Sequence, residues 1–188
     1  GLAVGAAVLL FFGACRTGFS SITGGSGSWY GETEPPIAAI YKGVKLDRQG
    51  ALADSSPVRS GEYTFAAHQG ELWVATGTER TSRVVYFRLE VRHPRPLEPL
   101  NTAVERRVWA EDDRGGTALS YTEYYALDVW EREDRAVVHC TVLDRGVFTD
   151  QYEVSLEIFD PEAERVDLRY THMGADLTIP ISLEVTGP

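Results

Sequence analysis

From Trp29 onward, apolar and polar residues alternate with a period of two over most of the chain. The clearest segment is 83–92, where Val85, Phe87 and Leu89 fall on one side and charged residues fall on the other. This period is that of a β-strand with one buried face and one solvated face. Few segments show the longer apolar repeat of a helix. We therefore predict an all-β domain.

The same alternation predicts further strands, separated by short turns rich in glycine and acidic residues, as hairpins require. These strands are 62–68, 72–76, 104–111, 119–130, 136–143, 151–158, 165–171 and 177–185. Pro180 limits the last strand to an edge or a bulge. Two stretches interrupt the pattern: 35–57, with a short helical turn around Ile37 to Tyr41, and the proline-rich loop 93–102.

Strands joined by hairpins predict an antiparallel up-and-down meander. Such a sheet hides its edges by closing into a barrel, and a β-sandwich is the alternative. The chain divides into an apolar segment 1–15, a glycine- and serine-rich tether 16–28 and a single β domain 29–188. That domain is long enough to bury a sizeable core.

The apolar segment at the start of the sequence predicts a targeting signal. Residues 1–14 are apolar and end at Cys15. This length suits the hydrophobic region of a secretion signal and is short of the about 20 residues that span a bilayer. An N-terminal membrane anchor with further residues before Gly1 is the alternative. In either case the rest of the chain is expected to face outward.

The sequence Phe12-Gly13-Ala14-Cys15 resembles the lipobox of bacterial lipoproteins, with Phe12 in place of the usual aliphatic residue. The resemblance implies that Cys15 is lipidated and attaches the protein to a membrane of the cell envelope. The residue after Cys15 is not Asp, and in this respect the chain resembles lipoproteins of the outer membrane. The domain would then face the periplasm or the exterior without entering the bilayer.

A second resemblance concerns the start of the domain. Gly27, Ser28 and Trp29 form a Gly-x-Trp followed by Tyr30, which resembles the opening of lipocalins and their bacterial relatives. Thr122-Glu123-Tyr124 is similar to the family's acidic-aromatic turn, with Glu in place of Asp. Arg169 matches the arginine of a late strand. The resemblance implies a lipocalin-like barrel, with Trp29 closing the bottom and Arg169 packed across it.

Charge and cysteine content limit the partners. The net charge of -10 comes from 28 acidic and 18 basic residues, so most of the surface repels phosphate backbones and nucleic acid is not expected to bind. With Cys15 lipidated, Cys140 has no partner for an intrachain disulfide. Its apolar surroundings in the sequence favour a small core residue over a nucleophile, because no partnered histidine is evident.

Candidate chemistry is sparse. His68, His93, His139 and His172 show no metal-ligand spacing, and three of them fall at predicted strand ends, which is typical of solvated histidines. Carboxylates cluster at predicted hairpin tips, namely Asp112, Asp113, Glu131, Glu133 and Asp134. Nucleophile, phosphate-binding and paired-cysteine motifs are lacking. We therefore predict no enzyme activity, no cofactor and no metal.

Aromatic residues are the remaining candidates. A barrel interior that holds a small apolar ligand would be lined by Trp73, Tyr86, Tyr125 and Trp130, and would be entered between 35–57 and 93–102. The alternative is a non-enzymatic structural or assembly module. It would bind another envelope protein through a sheet edge or an exposed aromatic face. A cavity of a few hundred cubic ångströms favours the carrier, and a packed interior favours the module.

Overall fold

The computed structural model describes residues 37–187, apart from 38–39, 78–79, 97–102, 133–134 and 173–174. The apolar segment, Cys15 and the Gly27 to Trp29 motif lie outside the described residues. Within the described part, the helical turn around Ile37 is present. The backbone N–H groups of Ile40 and Tyr41 both donate to the Ile37 carbonyl at 3.0 Å.

Strands make up most of the described chain. They are β1 (Lys45–Ala51), β2 (Val58–Ser60), β3 (Tyr63–Thr76), β4 (Thr81–Arg92), β5 (Trp109–Asp112), β6 (Thr117–Leu119), β7 (Ala136–Val137), β8 (His139–Arg145), β9 (Thr149–Ile158), β10 (Arg165–His172) and β11 (Ala175–Ser182). The helices are α1 (Val104–Arg107) and α2 (Tyr121–Ala126), followed by a 3-10 turn (Val129–Arg132). The all-β prediction is confirmed.

The strands form two sheets. One has the order β1-β3-β4-β9-β8, with β2 also paired to β3, and the other has the order β11-β10-β5-β6-β7. The pairs are antiparallel except for β6 and β7, which run parallel. Neither sheet closes into a barrel within the described residues. The chain also departs from an up-and-down meander, because β4 pairs along its length with β9 instead of with β5.

Several predicted strand boundaries were wrong. β1 lies inside the stretch 35–57 that was expected to interrupt the sheet, because its residues are mostly polar and show no alternation. The predicted strands 62–68 and 72–76 are one strand, β3, with a bulge at Gln69, whose φ is 53°. The segment 136–143 divides at Val138, so that β7 belongs to one sheet and β8 to the other.

The two sheets bury their inner faces in one hydrophobic core. Phe65, Phe87 and Tyr152 from the first sheet and Leu168 and Ile179 from the second are almost fully buried members of this core. A cavity bordered by core residues such as Ala110 and Leu156 measures about 30 Å³. That volume admits a water molecule or two, whereas ligand pockets begin at about 300 Å³. The described core is therefore packed.

Candidate binding surface

The connection from β6 to β7 contains α2 and the 3-10 turn, where the sequence predicted a strand over 119–130. The Ser120 hydroxyl accepts a hydrogen bond from the backbone N–H of Glu123 at 3.3 Å, and Glu123 Oε2 accepts one from the Ser120 N–H at 3.2 Å. This is a capping box, which begins a helix by satisfying its first N–H groups. It ends the strand at Leu119 and starts α2 at Tyr121.

Arg132 holds the far end of this connection. Its Nε and Nη2 donate to the Leu127 carbonyl at 3.0 and 2.7 Å, and Nη2 also donates to the Tyr125 carbonyl at 3.1 Å. The last carbonyls of a helix have no partner within the helix, so this side chain satisfies them. The guanidinium also lies 5.0 Å from the ring centroid of Tyr125 and 5.5 Å from that of Tyr124.

Four large apolar or aromatic side chains project from this connection. Val129 and Trp130 are 78% and 71% exposed, and Tyr121 and Tyr125 are about half exposed. The Tyr121 and Tyr125 rings lie one helical turn apart, with centroids 4.4 Å from each other. We call Tyr121, Tyr125, Val129 and Trp130 the aromatic surface. Trp and Tyr are the residue types that dominate the binding energy of protein interfaces.

Acidic side chains lie beside the aromatic surface. Glu123, Asp128 and Glu131 are exposed, and the last two flank the Val129-Trp130 pair directly. Arg132 is already engaged with carbonyls and tyrosine rings. Exposed Arg107 lines the same cleft as Glu123, so the local negative charge lies at Asp128 and Glu131, beside Val129 and Trp130. A partner surface with positive charge fits these two carboxylates best, because complementary charge speeds association and excludes wrong partners.

The predicted ligand-lining residues do not meet in one place. Trp73 and Tyr86 lie in a second hydrophobic cluster with Ile37 and Val84, on the outer face of the first sheet. Tyr125 and Trp130 are outside that cluster, on the connection between β6 and β7. Tyr41 and Val44 pack against this cluster, to which Ile37 also belongs, so Trp73 and Tyr86 help to hold these residues on the sheet.

Hydrogen bonds fix the polar ends of both aromatic residues in this cluster. Trp73 Nε1 donates to Glu71 Oε2 at 3.1 Å, and the Tyr86 hydroxyl donates to Glu153 Oε1 at 2.9 Å. Burial, together with the hydrogen bond to Glu153 and its charge, raises the pKa of Tyr86 to about 12. The hydroxyl thus stays protonated and the rings stay in place at ordinary pH.

Arg169 does lie across a tryptophan, but the described partner is Trp109. Its guanidinium carbon is 5.3 Å from the Trp109 ring, and Nη2 lies 3.0 Å from Glu111 Oε2. The contact arises because Arg169 and Trp109 are direct cross-strand neighbours in β10 and β5. Trp29, the partner that the lipocalin resemblance implies, lies outside the described residues.

Cys140 is packed against the core, as the sequence predicted. Burial, and next the charge of Glu105, raise the pKa of its thiol far above the ordinary range. The thiolate is the reactive form, so this cysteine is a poor nucleophile.

We therefore expect Cys140 to react slowly with a thiol-specific reagent in the folded protein. In a Cys15→Ser chain at about pH 8, native modification should be at least about a hundredfold slower than modification in denaturant. With a reagent that releases a chromophore when it reacts with a thiol, absorbance measures both rates. Equal rates would show that Cys140 is accessible.

Similarity to known proteins gives no further guide. No protein-family model matches the chain, and no curated protein or solved structure shows significant similarity to it. Within residues 37–187, leaving out the gaps, His, Cys, Asp and Glu side chains form no group of three suited to a metal ion. The helices of the same part are too short or too polar to cross a membrane. The aromatic surface is therefore the site from which we infer a function.

Proposed function

We propose that this chain is a lipid-anchored protein of the cell envelope whose β-sandwich domain binds another envelope protein through the aromatic surface. It acts as a non-enzymatic structural or assembly module. The sandwich is supported by two open sheets that share one core. The anchor is supported by the lipobox-like residues that end at Cys15, and an outer-membrane location by the residue that follows.

The observation that carries this proposal is the exposure of Val129 and Trp130 on a connection that Arg132 holds in shape. Each fully buried side chain of this kind contributes about 1.5–3 kcal/mol when it leaves water. A surface that is already rigid loses little conformational entropy on binding, so more of this energy appears as affinity. Asp128 and Glu131 then favour a partner that carries basic side chains around the apolar pocket for Val129 and Trp130.

The alternative, a carrier of a small apolar ligand, has less support. Its four expected lining residues are divided between the outer cluster and the aromatic surface. A cavity at Ala110 and Leu156 is about 30 Å³, about a tenth of the smallest usual ligand pocket. A wider cleft of about 880 Å³ is lined by exposed charged residues such as Arg114 and Glu162, whereas pockets for apolar ligands are mostly apolar. Mass spectrometry of the purified protein tests this alternative, because a copurifying lipid would favour the carrier.

Site-specific photocrosslinking in intact cells tests the binding proposal. A photoreactive residue at position 129 should yield one discrete crosslinked species, and the same residue at exposed Thr178 should not. Trp130→Ala should weaken the complex by about 30-fold or more, the usual effect of removing a central aromatic residue. Arg132→Ala should weaken it as well, because the surface loses its rigid support.

Phe148→Ala is the matched control, since Phe148 is a half-exposed aromatic residue outside the aromatic surface. It should leave the crosslinked species unchanged. Cys15→Ser should release the chain from the membrane fraction, and loss of fatty-acid labelling would confirm lipidation. A crosslink that persists in Trp130→Ala, or none at position 129, would contradict the proposal.

A further inference from the structure

A histidine that the sequence assigns to a solvated turn is buried. The side chains of His93 and Asp150 are 1% and 2% exposed, and Nε2 of His93 lies 3.7 Å from Oδ1 of Asp150. Among the described residues, neither of these two atoms has a hydrogen-bond partner. His93 directly follows β4 and Asp150 lies in β9, so the pair joins the start of the proline-rich loop to the first sheet.

Two further charged residues extend this pair. Arg145 Nη1 lies 3.6 Å from Asp150 Oδ2, and Arg145 Nη2 lies 3.5 Å from Glu105 Oε1. The Tyr152 hydroxyl donates to Asp150 Oδ2 at 3.2 Å. The network therefore connects β4, α1, β8 and β9 at one end of the sheets. We call His93, Asp150, Arg145 and Glu105 the charge network.

The hydrogen bonds of His93 determine where its protons are. Nδ1 lies 2.6 Å from the carbonyl oxygen of Arg95. A carbonyl only accepts, so Nδ1 carries a hydrogen. A neutral imidazole with its hydrogen on Nδ1 would direct the lone pair of Nε2 at a carboxylate oxygen of Asp150. Two buried acceptors facing each other are unfavourable, so a second proton is needed between these atoms.

That proton belongs on His93 and not on Asp150. The carboxylate of Asp150 already faces the Arg145 guanidinium and accepts from the Tyr152 hydroxyl, and both contacts favour its ionised form. A charged His93 also balances the network, because His93 and Arg145 then offset Asp150 and Glu105. Buried charges are tolerated when they are paired in this way.

The cysteine and the tyrosine that face the charge network stay neutral. Burial raises the pKa of Cys140 on β8 and of Tyr170 on β10, and the charge of Glu105 raises both further. Tyr63 on β3 also raises the pKa of Tyr170, and the charge of Arg107 at the end of α1 lowers it. Cys140 and Tyr170 therefore add no charge that would replace the proton on His93.

We propose that His93 is a buried imidazolium that locks the start of the proline-rich loop to the β8–β9 hairpin. A backbone hydrogen bond supports the same contact, since the N–H of His93 donates to the Phe148 carbonyl at 3.0 Å.

Nitrogen NMR of the full chain tests the proposal directly. At about pH 7, where a solvated histidine is mostly neutral, both ring nitrogens of His93 should show the shifts of an imidazolium. A neutral ring with one hydrogen on Nδ1 at about pH 7 would overturn the proposal, and this measurement needs no variant.

Two variants separate the lock from a general loss of stability. Asp150→Asn keeps the shape of the side chain but removes its charge. It should abolish the imidazolium signature at about pH 7, because the NH2 group of the asparagine can donate to a neutral Nε2 of His93. Asp54→Asn is the matched control, because Asp54 pairs with the partly exposed His68 at 3.3 Å. It should leave the nitrogen shifts of His93 unchanged. An imidazolium that persists in Asp150→Asn would also overturn the proposal.

Discussion

Replacement of Phe87 by alanine is expected to lower the free energy of unfolding by about 3–5 kcal/mol, the usual cost of emptying a packed phenylalanine site. Phe87 is 1% exposed on the inner face of β4. Its cross-strand neighbour is Val154, another core residue. Because the described core is packed, the site has little room to collapse around the lost ring. Urea denaturation followed by Trp fluorescence measures the change.

The control for Phe87→Ala is Phe148→Ala, which removes the same ring from a half-exposed position. It should lower the free energy of unfolding by about 1 kcal/mol, because only about half of this ring is buried. This comparison also bears on function. If both variants cost equally little, the interior would be loosely filled, and a ligand carrier would regain support.

Alternation of side chains predicted strands well where one face of the strand meets the core. Strands β4, β9 and β10 follow their predicted segments closely because inward apolar residues and outward polar residues alternate along each of them. The same pattern says nothing about which strands pair. β4 pairs with β9, more than fifty positions later along the chain, and the predicted meander followed only the order of the segments.

The sequence predicted two of the four residues of the aromatic surface as binding residues. Tyr125 and Trp130 were singled out as binding residues, but as the lining of an interior. The period-two interpretation failed over 119–130 because aromatic residues occur in strands and helices alike, whereas the capping box of Ser120 and Glu123 specifies a helix start. The sequence carries this signal as Ser-x-x-Glu. The helix that it starts places the rings of Tyr121 and Tyr125 on the outside.

His93 was missed for a related reason. A histidine before a proline is typical of an exposed turn, and Pro94 is indeed exposed. Its burial depends on Asp150 and Arg145, which are far away in the sequence and arrive through the β8–β9 hairpin. Charge networks of this kind depend on tertiary pairing, so sequence spacing alone does not reveal them.

Gly50→Ala is expected to destabilise the protein by about 2–4 kcal/mol, because both backbone strain and crowding oppose the added methyl group. Gly50 has a φ of 154°. A Cβ at this position would collide with the side chain of Val185 and lie 2.6 Å from the Gly187 carbonyl oxygen. Thermal unfolding monitored by circular dichroism measures the loss.

Gly61→Ala is the control, since its φ of 60° also disfavours alanine but no atom of the described residues lies within 4 Å of the new Cβ. Strain alone should cost about 1–2 kcal/mol there. The additional loss of stability in Gly50→Ala therefore measures how tightly the segment after β11 packs against β1. In this segment the Thr186 N–H donates to the Ala51 carbonyl at 2.8 Å. This contact joins the segment after β11 to β1 of the other sheet and covers an exposed edge. Equal losses in the two variants would show that the C-terminal segment separates from β1 without cost.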